Sequence, residues 1–195
     1  GIVGAGGAGF PAYAKMTEKA DTVILNCVEC EPLLKLHRQL LATHTEEIIQ
    51  MLDEVRESFG AKEAVIGIKS EYVTTIKAIE EVIGDFPNVR ICALKAAYPM
   101  GDEVVLIYEA TGRVIKPGGL PIDENVVVYN VETMYNLYRA VHLNIPVTNK
   151  LVSIVGEIDH PLTVRVPLGT TVKEAISLAG KITVEDPAYV MGGPM

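Results

Sequence analysis

The chain has no tryptophan, and its 195 residues include only eight tyrosines and three phenylalanines. It has no excess of base either: 17 Lys and Arg stand against 25 Asp and Glu, a net charge of −8. A nucleic-acid binder replaces counterions with a basic stripe and stacks bases on aromatic rings. Here the Lys and Arg are scattered and the aromatics few, which argues against that class of partner. Three cysteines, Cys27, Cys30 and Cys92, are too few for a disulfide framework in a chain of this size. They point instead to a reducing, cytoplasmic setting. No apolar run approaches the ~18 residues that a membrane helix needs, so direct membrane insertion is not expected. No signal peptide is visible. The four histidines (His37, His44, His142, His160) are dispersed, serines number four, and neither H-E-x-x-H nor G-x-S-x-G occurs. Hydrolase machinery is therefore absent from the sequence.

What is there is apolar and alternating. Hydrophobic residues make up 49% of the chain, enough to bury a core and to exclude disorder. Short runs at Thr22–Asn26, Ala64–Ile68, Val89–Leu94 and Asn125–Asn130 are apolar on both faces, as parallel strands covered by helices are. Between the first two, Thr43 and Glu46 have the spacing of a capping box. Ile48, Ile49, Leu52 and Val55 share one helix face, and Gly60 closes that helix. A further helix is predicted over Tyr72–Ile83 with Gly84 as its stop. The alternation predicts an α/β fold, an open and mostly parallel Rossmann-like sheet with helices on both faces.

After Asn144-Ile145-Pro146 the pattern changes. LVSIVGEI reads as a strand, Asp159-His160-Pro161 as a turn and LTVRV as the return strand. Thr171-x-x-Glu174 then opens a helix that Gly180 ends. The expected division is an α/β domain over residues 1–147 and a small ββα unit over 148–195. The chain begins at Gly1 without Met and stops on Met191-Gly192-Gly193-Pro194-Met195, so a piece of a longer protein is expected, with the small unit truncated at its C-terminal side.

Four phrases carry chemistry. Gly4-Ala5-Gly6-Gly7-Ala8-Gly9-Phe10-Pro11 puts four glycines in six residues, a backbone able to approach a ligand and aim N–H groups at an anion. Pro11 suits the first turn of a helix whose start favours phosphate. The same glycines match G-x-G-x-x-G, with Ile2-Val3 as the end of a strand before it and Glu29 downstream, which is a dinucleotide reading. The second phrase, Asn26-Cys27-Val28-Glu29-Cys30-Glu31-Pro32, follows a strand, where the ligand crevice of an open α/β sheet lies. Cys27-x-x-Cys30 has no second pair to complete a metal site, and no metal is expected. The third is Tyr98-Pro99-Met100-Gly101-Asp102-Glu103, at the start of a helix. The fourth is Pro117-Gly118-Gly119-Leu120-Pro121, followed by Asn130-Val131-Glu132-Thr133, where Asn130 either caps a helix or meets a ligand.

Taken in this order, G-G-A-G-F-P, N-x-x-E-x-E-P, Y-P-x-G-x-E and N-V-E-T resemble the flavin-binding subunit of respiratory complex I and its relatives. Their wording fits the C subunit of Rnf-type NAD:ferredoxin electron-transport complexes, with cobalamin-reductase-like and proline-reductase-associated members beside it. The resemblance implies an FMN-binding α/β domain followed by a small soluble-ligand-binding β-grasp domain. It implies that FMN exchanges hydride with NADH and passes electrons singly to iron–sulfur clusters, with the flavin, not a side chain, carrying the chemistry. It places Gly6, Gly7, Gly9 and Lys15 along the FMN and nucleotide site. Asn26 and Glu29 would meet the flavin, Gly101 and Glu103 would border it, and Asn130 and Thr133 would hold the phosphate end. Phe10 would stack on the nicotinamide nucleotide and Glu31 would face its nicotinamide side.

The chain departs from complex I in carrying Val28 where an acidic residue stands. It has no cluster-binding cysteine run, so 4Fe-4S clusters are expected only in a missing C-terminal part. The implied partners are other subunits of a redox complex or a soluble electron acceptor. The implied location is cytoplasmic, peripheral at the membrane face through those subunits. Two other readings stand beside this one: an NAD(P)- or FAD-linked Rossmann oxidoreductase, and a non-catalytic scaffold or ligand-binding subunit that kept the fold without the flavin.

Overall fold

The computed structural model describes residues 1–7, 9–16 and 19–192. Ala8 of the glycine-rich phrase and Gly193, Pro194 and Met195 of the terminal phrase lie outside the described residues. The chain divides into two units, Gly1–Cys30 with His37–Pro146, and Glu31–Leu36 with Val147–Met195.

The first unit is built on β1 (Thr22–Asn26), β2 (Glu63–Lys69), β3 (Val89–Leu94) and β4 (Val126–Asn130). All three pairings are parallel and the order is β3-β2-β1-β4. The chain thus steps outward from β1 to β2 to β3, then returns across the sheet to β4 on the far side of β1. Right-handed crossovers put helices on the face set by the direction of travel. The outward steps carry α3 (Thr45–Phe59) and α4 (Val73–Val82), which pack together on one face. The return step carries α5 (Glu103–Thr111) against β1 and β2 on the other, and α6 (Val131–His142) packs along α3.

β1, β2 and β4 are buried on both faces, and their side chains divide between the two faces with a period of two. Ile24, Val65, Val126 and Val128 join Leu106, Ile107 and Ala110 of α5 in one apolar cluster. Gly67 on β2 is what lets α5 sit so close, since a Cβ built there would lie 2.5 Å from Leu106 Cδ1. Under α3, Ile48, Ile49 and Leu52 are wholly buried, as their spacing predicts. That helix ends as expected at Gly60, left-handed at φ 65°. Gly60 N–H donates to Glu57 O and Ala61 N–H to Arg56 O, both at 2.9 Å, the paired bonds of a Schellman stop.

Several local expectations are corrected. Two helices, not one, join β1 to β2: α2 (Leu36–Thr43) precedes α3, and His44 breaks them apart. The Thr43–Glu46 capping box does not form, because Thr43 is the last helical residue of α2 and its hydroxyl donates back to Gln39 O at 2.8 Å. α4 ends at Val82, and Gly84 sits inside a following 3-10 turn, Ile83–Asp85. Ile2-Val3 is no strand of the sheet: Val3 makes a single bridge, to Pro11. The helix after Pro11, α1 (Ala12–Lys15), is one turn long. The strand and long helix that a dinucleotide fingerprint requires on either side of its glycines are thus missing among the described residues.

In the second unit, β5 (Asn149–Ile154) pairs antiparallel with β6 (Leu162–Pro167). α7 (Val172–Ser177) follows, opened by the reciprocal Thr171–Glu174 box that the sequence predicts. The first strand is shorter at its far end than LVSIVGEI. Ile158 bridges to Ile182 instead, and Asp159 and His160 donate their N–H groups to Lys181 O and Ala179 O, each at 3.0 Å. The expected turn is therefore part of a wider loop tied to the segment after α7.

Candidate functional site

In an open α/β sheet the ligand crevice lies outside the carboxyl ends of the strands where their order reverses. Here that point is the seam between β1 and β4. The two strands run in register from Thr22↔Val126 to Asn26↔Asn130, so the two asparagines close the seam side by side. Each uses its side chain locally in the same way. Asn26 Oδ1 accepts Val28 N–H at 2.9 Å, and Asn130 Oδ1 accepts Glu132 N–H at 2.9 Å and Thr133 N–H at 3.3 Å. Asn130 is thus the N-cap of α6. The amide nitrogens reach outward: Asn26 Nδ2 donates to Gly101 O at 3.0 Å, and Asn130 Nδ2 lies 2.9 Å from His37 Nε2.

The glycine-rich loop arches over the β4 side of this seam. Gly4 N–H donates to Phe10 O at 2.8 Å and Ala12 N–H to Ile2 O at 3.0 Å, closing the loop at its base. Ala5 N–H donates to Thr133 Oγ1 at 2.9 Å. Gly6 rests against the Asn130 amide, where a Cβ would collide with Nδ2. Among the described residues, the N–H groups of Gly6, Gly7 and Gly9 have no acceptor within the chain, and Gly6 and Gly7 are exposed. Gly9 takes φ +71°, a left-handed conformation that suits glycine.

Lys15, one turn after the loop, reaches back to donate to Val128 O at 2.7 Å. Its ammonium lies 5.2 Å from the Tyr129 ring centroid and 6.0 Å from that of Phe10. Burial lowers its pKa, and the negative charge of Glu103 pulls it back up. Glu103 answers in kind: burial raises its carboxyl, Lys15 lowers it and Asp102 raises it. Asp102 is the N-cap of α5, its Oδ1 accepting Val104 and Val105 N–H. Gly101 is pinned, since a Cβ there would meet Val28 O at 2.5 Å and Cys30 Sγ at 2.7 Å.

Glu29 is buried. Its Oε1 accepts His37 N–H at 2.9 Å, near the start of α2, and its Oε2 lies 3.9 Å from Arg38 Nε. Val28 lies in the apolar cluster under α5, so an acidic side chain at that position would sit among hydrocarbon in this chain. Cys27 is wholly buried and its thiol is pushed far up by that burial. Cys30 Sγ accepts Gly101 N–H at 3.2 Å.

Of the residues singled out in the sequence, Gly6, Lys15, Asn26, Gly101, Glu103, Asn130 and Thr133 meet around the seam through these contacts. Phe10 stands exposed at the loop's edge. Glu31 falls in the segment grouped with the second unit, where its carbonyl accepts Leu34 N–H at 3.3 Å. His37 reads in the sequence as an isolated histidine and is instead a direct neighbour of Asn130, a contact between residues 93 apart that no local pattern signals.

Comparison with known proteins gives a consistent picture. Residues 1–139 match the Nuo51 FMN-binding domain model and residues 151–195 the SLBB domain model. The cobalamin reductase PduS of Citrobacter freundii is 41% identical over the whole of this chain, which covers 43% of that protein. The C subunit of the Na+-translocating ferredoxin:NAD+ oxidoreductase complex of Acetobacterium woodii is 32% identical over all of the chain and 45% of its own length. The chain therefore spans less than half the length of these curated relatives. Among solved structures, an NAD+-reducing nickel–iron hydrogenase in its H2-reduced state superposes with a TM-score of 0.78. Its identity is 25%, and the match covers 92% of this chain and 37% of that one. Among the described residues no helix is long and apolar enough to cross a membrane.

Proposed function

We propose, for a chain that belongs to the Nuo51 FMN-binding domain family, that its first unit binds FMN at the β1–β4 seam and exchanges hydride with NADH there. Iron–sulfur centres outside this sequence would take the electrons singly. The observation that carries the reading is the glycine loop: uncommitted N–H groups at Gly6, Gly7 and Gly9, held over the switch point by Asn130 and Thr133.

The residues present fit the group. A mononucleotide has one phosphate, and a single loop of free N–H donors beside a capped helix start suits one anion. In this reading Gly6, Gly7 and Gly9 receive the phosphate, with Thr133 and Asn130 bordering that end. Lys15 supplies a cation at the β4 edge, and its partial burial strengthens its pull on an anion. Glu103 balances that charge, so the pocket is not left strongly positive. Asn26, Glu29 and Gly101 line the β1 side and exclude water from it. Phe10 offers an exposed ring for a nicotinamide nucleotide. FMN itself would supply the redox chemistry, and the protein's share is to fix the approach of the two rings and the charge around them.

By the same reading the chain works as part of a redox complex or with a soluble electron acceptor, at the cytoplasmic face of a membrane through partner subunits. The residues 1–147 and 148–195 would serve as its flavin domain and its β-grasp domain. The test is an absorption spectrum of the purified chain after incubation with FMN and desalting, then after NADH. A retained flavin band that bleaches with NADH supports the reading. A colourless protein that FMN does not stabilise against heat would leave the scaffold reading in its place.

A further inference from the structure

We infer that His37 positions the glycine-rich loop by acting through Asn130 as a hydrogen-bond acceptor. The orientation of the Asn130 amide is set from two sides. Its Oδ1 is held by Glu132 and Thr133 N–H, so the group facing His37 Nε2 at 2.9 Å is the NH2 end. An amide nitrogen only donates. His37 Nε2 therefore accepts, and the ring is the neutral tautomer with its proton on Nδ1. The other tautomer, or a doubly protonated ring, would set two donors face to face.

The same amide nitrogen is the surface on which Gly6 rests. Asn130 Nδ2 is thus wedged between an imidazole and a backbone. His37 is itself held where its main chain begins a helix, by the bond from its N–H to Glu29 Oε1 at 2.9 Å. Glu29, His37, Asn130 and Gly6 form one line of contact from the β1 side of the seam to the loop. If the acceptor is lost, the amide is free to turn, the cap of α6 loosens, and the floor under Gly6 moves. His37 is a positioning residue in this scheme. What the loop binds rests on the proposed function, but the positioning itself does not.

The test uses the full chain without ligand. In wild type, nitrogen NMR of the His37 ring at a pH well above the ordinary histidine value of about 6.5 is expected to find Nε2 bare and Nδ1 protonated. His37→Leu removes the acceptor, and His37→Gln returns one on its side-chain oxygen. Amide exchange at Ala5, whose N–H is bonded to Thr133 Oγ1, is expected to quicken by about tenfold or more in H37L and to return within about threefold of wild type in H37Q. A protonated Nε2 in wild type overturns the inference, and this reading needs no variant to fold. Unchanged Ala5 exchange in H37L also overturns it, as does H37Q exchanging as fast as H37L. A wild-type chain that retains no FMN overturns the flavin reading alone, since none of these measurements involves the ligand.

Discussion

Glu29 and Arg38 face each other across 3.9 Å, the guanidinium partly exposed and the carboxylate almost wholly buried. At that distance the pair attracts without a hydrogen bond between Nε and Oε2. Burial pushes the Glu29 carboxyl above its ordinary range, and the His37 and Arg38 N–H groups with the Arg38 charge pull it only part of the way back.

An acid whose folded pKa is raised favours folding while it is protonated. Its contribution is fully present below the unfolded value, near 4.5, and is lost as pH rises through the folded value. Glu29→Gln keeps an oxygen for His37 N–H and removes the charge. Urea midpoints taken from about pH 4 to 8 are expected to show wild type losing ground to this variant as pH rises. A difference between the two that is independent of pH would show that Glu29 is not held with a raised pKa.

Gly6 and Gly7 are neighbours with opposite expectations. A Cβ at Gly6 collides with Asn130, while one at Gly7 meets nothing within 4 Å. In the ligand-free chain Gly6→Ala is expected to cost about 1–3 kcal/mol, as overpacking does. Gly7→Ala is expected to stay within about 0.5 kcal/mol of wild type. Equal losses in both variants, measured by chemical denaturation, would mean the loop is not seated on Asn130.

Gly67 and Leu106 define the contact between β2 and α5. Gly67→Ala alone is expected to destabilise, because the new methyl would lie 2.5 Å from Leu106 Cδ1. Leu106→Ala alone is expected to cost about 2–5 kcal/mol as a cavity in a full core. Together they should cost less than their sum by about 1 kcal/mol or more, the methyl partly filling the hole. Strict additivity in a double-mutant cycle would contradict the packing described.

Asn26→Ala removes two bonds at once, the acceptor for Val28 N–H and the donor to Gly101 O. A loss of about 2 kcal/mol is expected, together with weaker FMN binding. Stability and flavin affinity are separate readouts here. A destabilised variant that binds FMN as wild type does would remove Asn26 from the proposed site while leaving its structural role intact.

Much of the fold is legible in the chain because its signals are local. Val23, Ile24 and Leu25 are apolar in succession, which only a strand covered on both faces requires. Gly60 and the Thr171–Glu174 pair announce a helix end and a helix start from neighbouring residues alone. The break at His44 is not legible, since Thr43 looks like a cap and instead bonds back into the preceding turn, as Thr45 also does. The site divides in the same way. The glycines, Asn26 and Asn130 stand out by type and by their place after strands. That Gly6 lies on Asn130, that Glu29 turns to α2, and that His37 is the acceptor all depend on residues brought together by the sheet. Nothing near them in sequence records it.

The order β3-β2-β1-β4 also has a consequence in time. β1 meets β2 across a separation of about 40 residues, but it meets β4 across 104, from Thr22 to Val126. Contacts that close long loops are made late because the entropy of closure must be overcome first. On a ribosome, the residues of β1, β2 and β3 are synthesised and emerge before those of β4. The seam that carries the loop, the two asparagines and Lys15's acceptor is therefore the last part of the sheet to exist. A nascent chain has no ligand crevice to fill until that strand docks, and a ligand that binds the seam acts on the closing step of assembly.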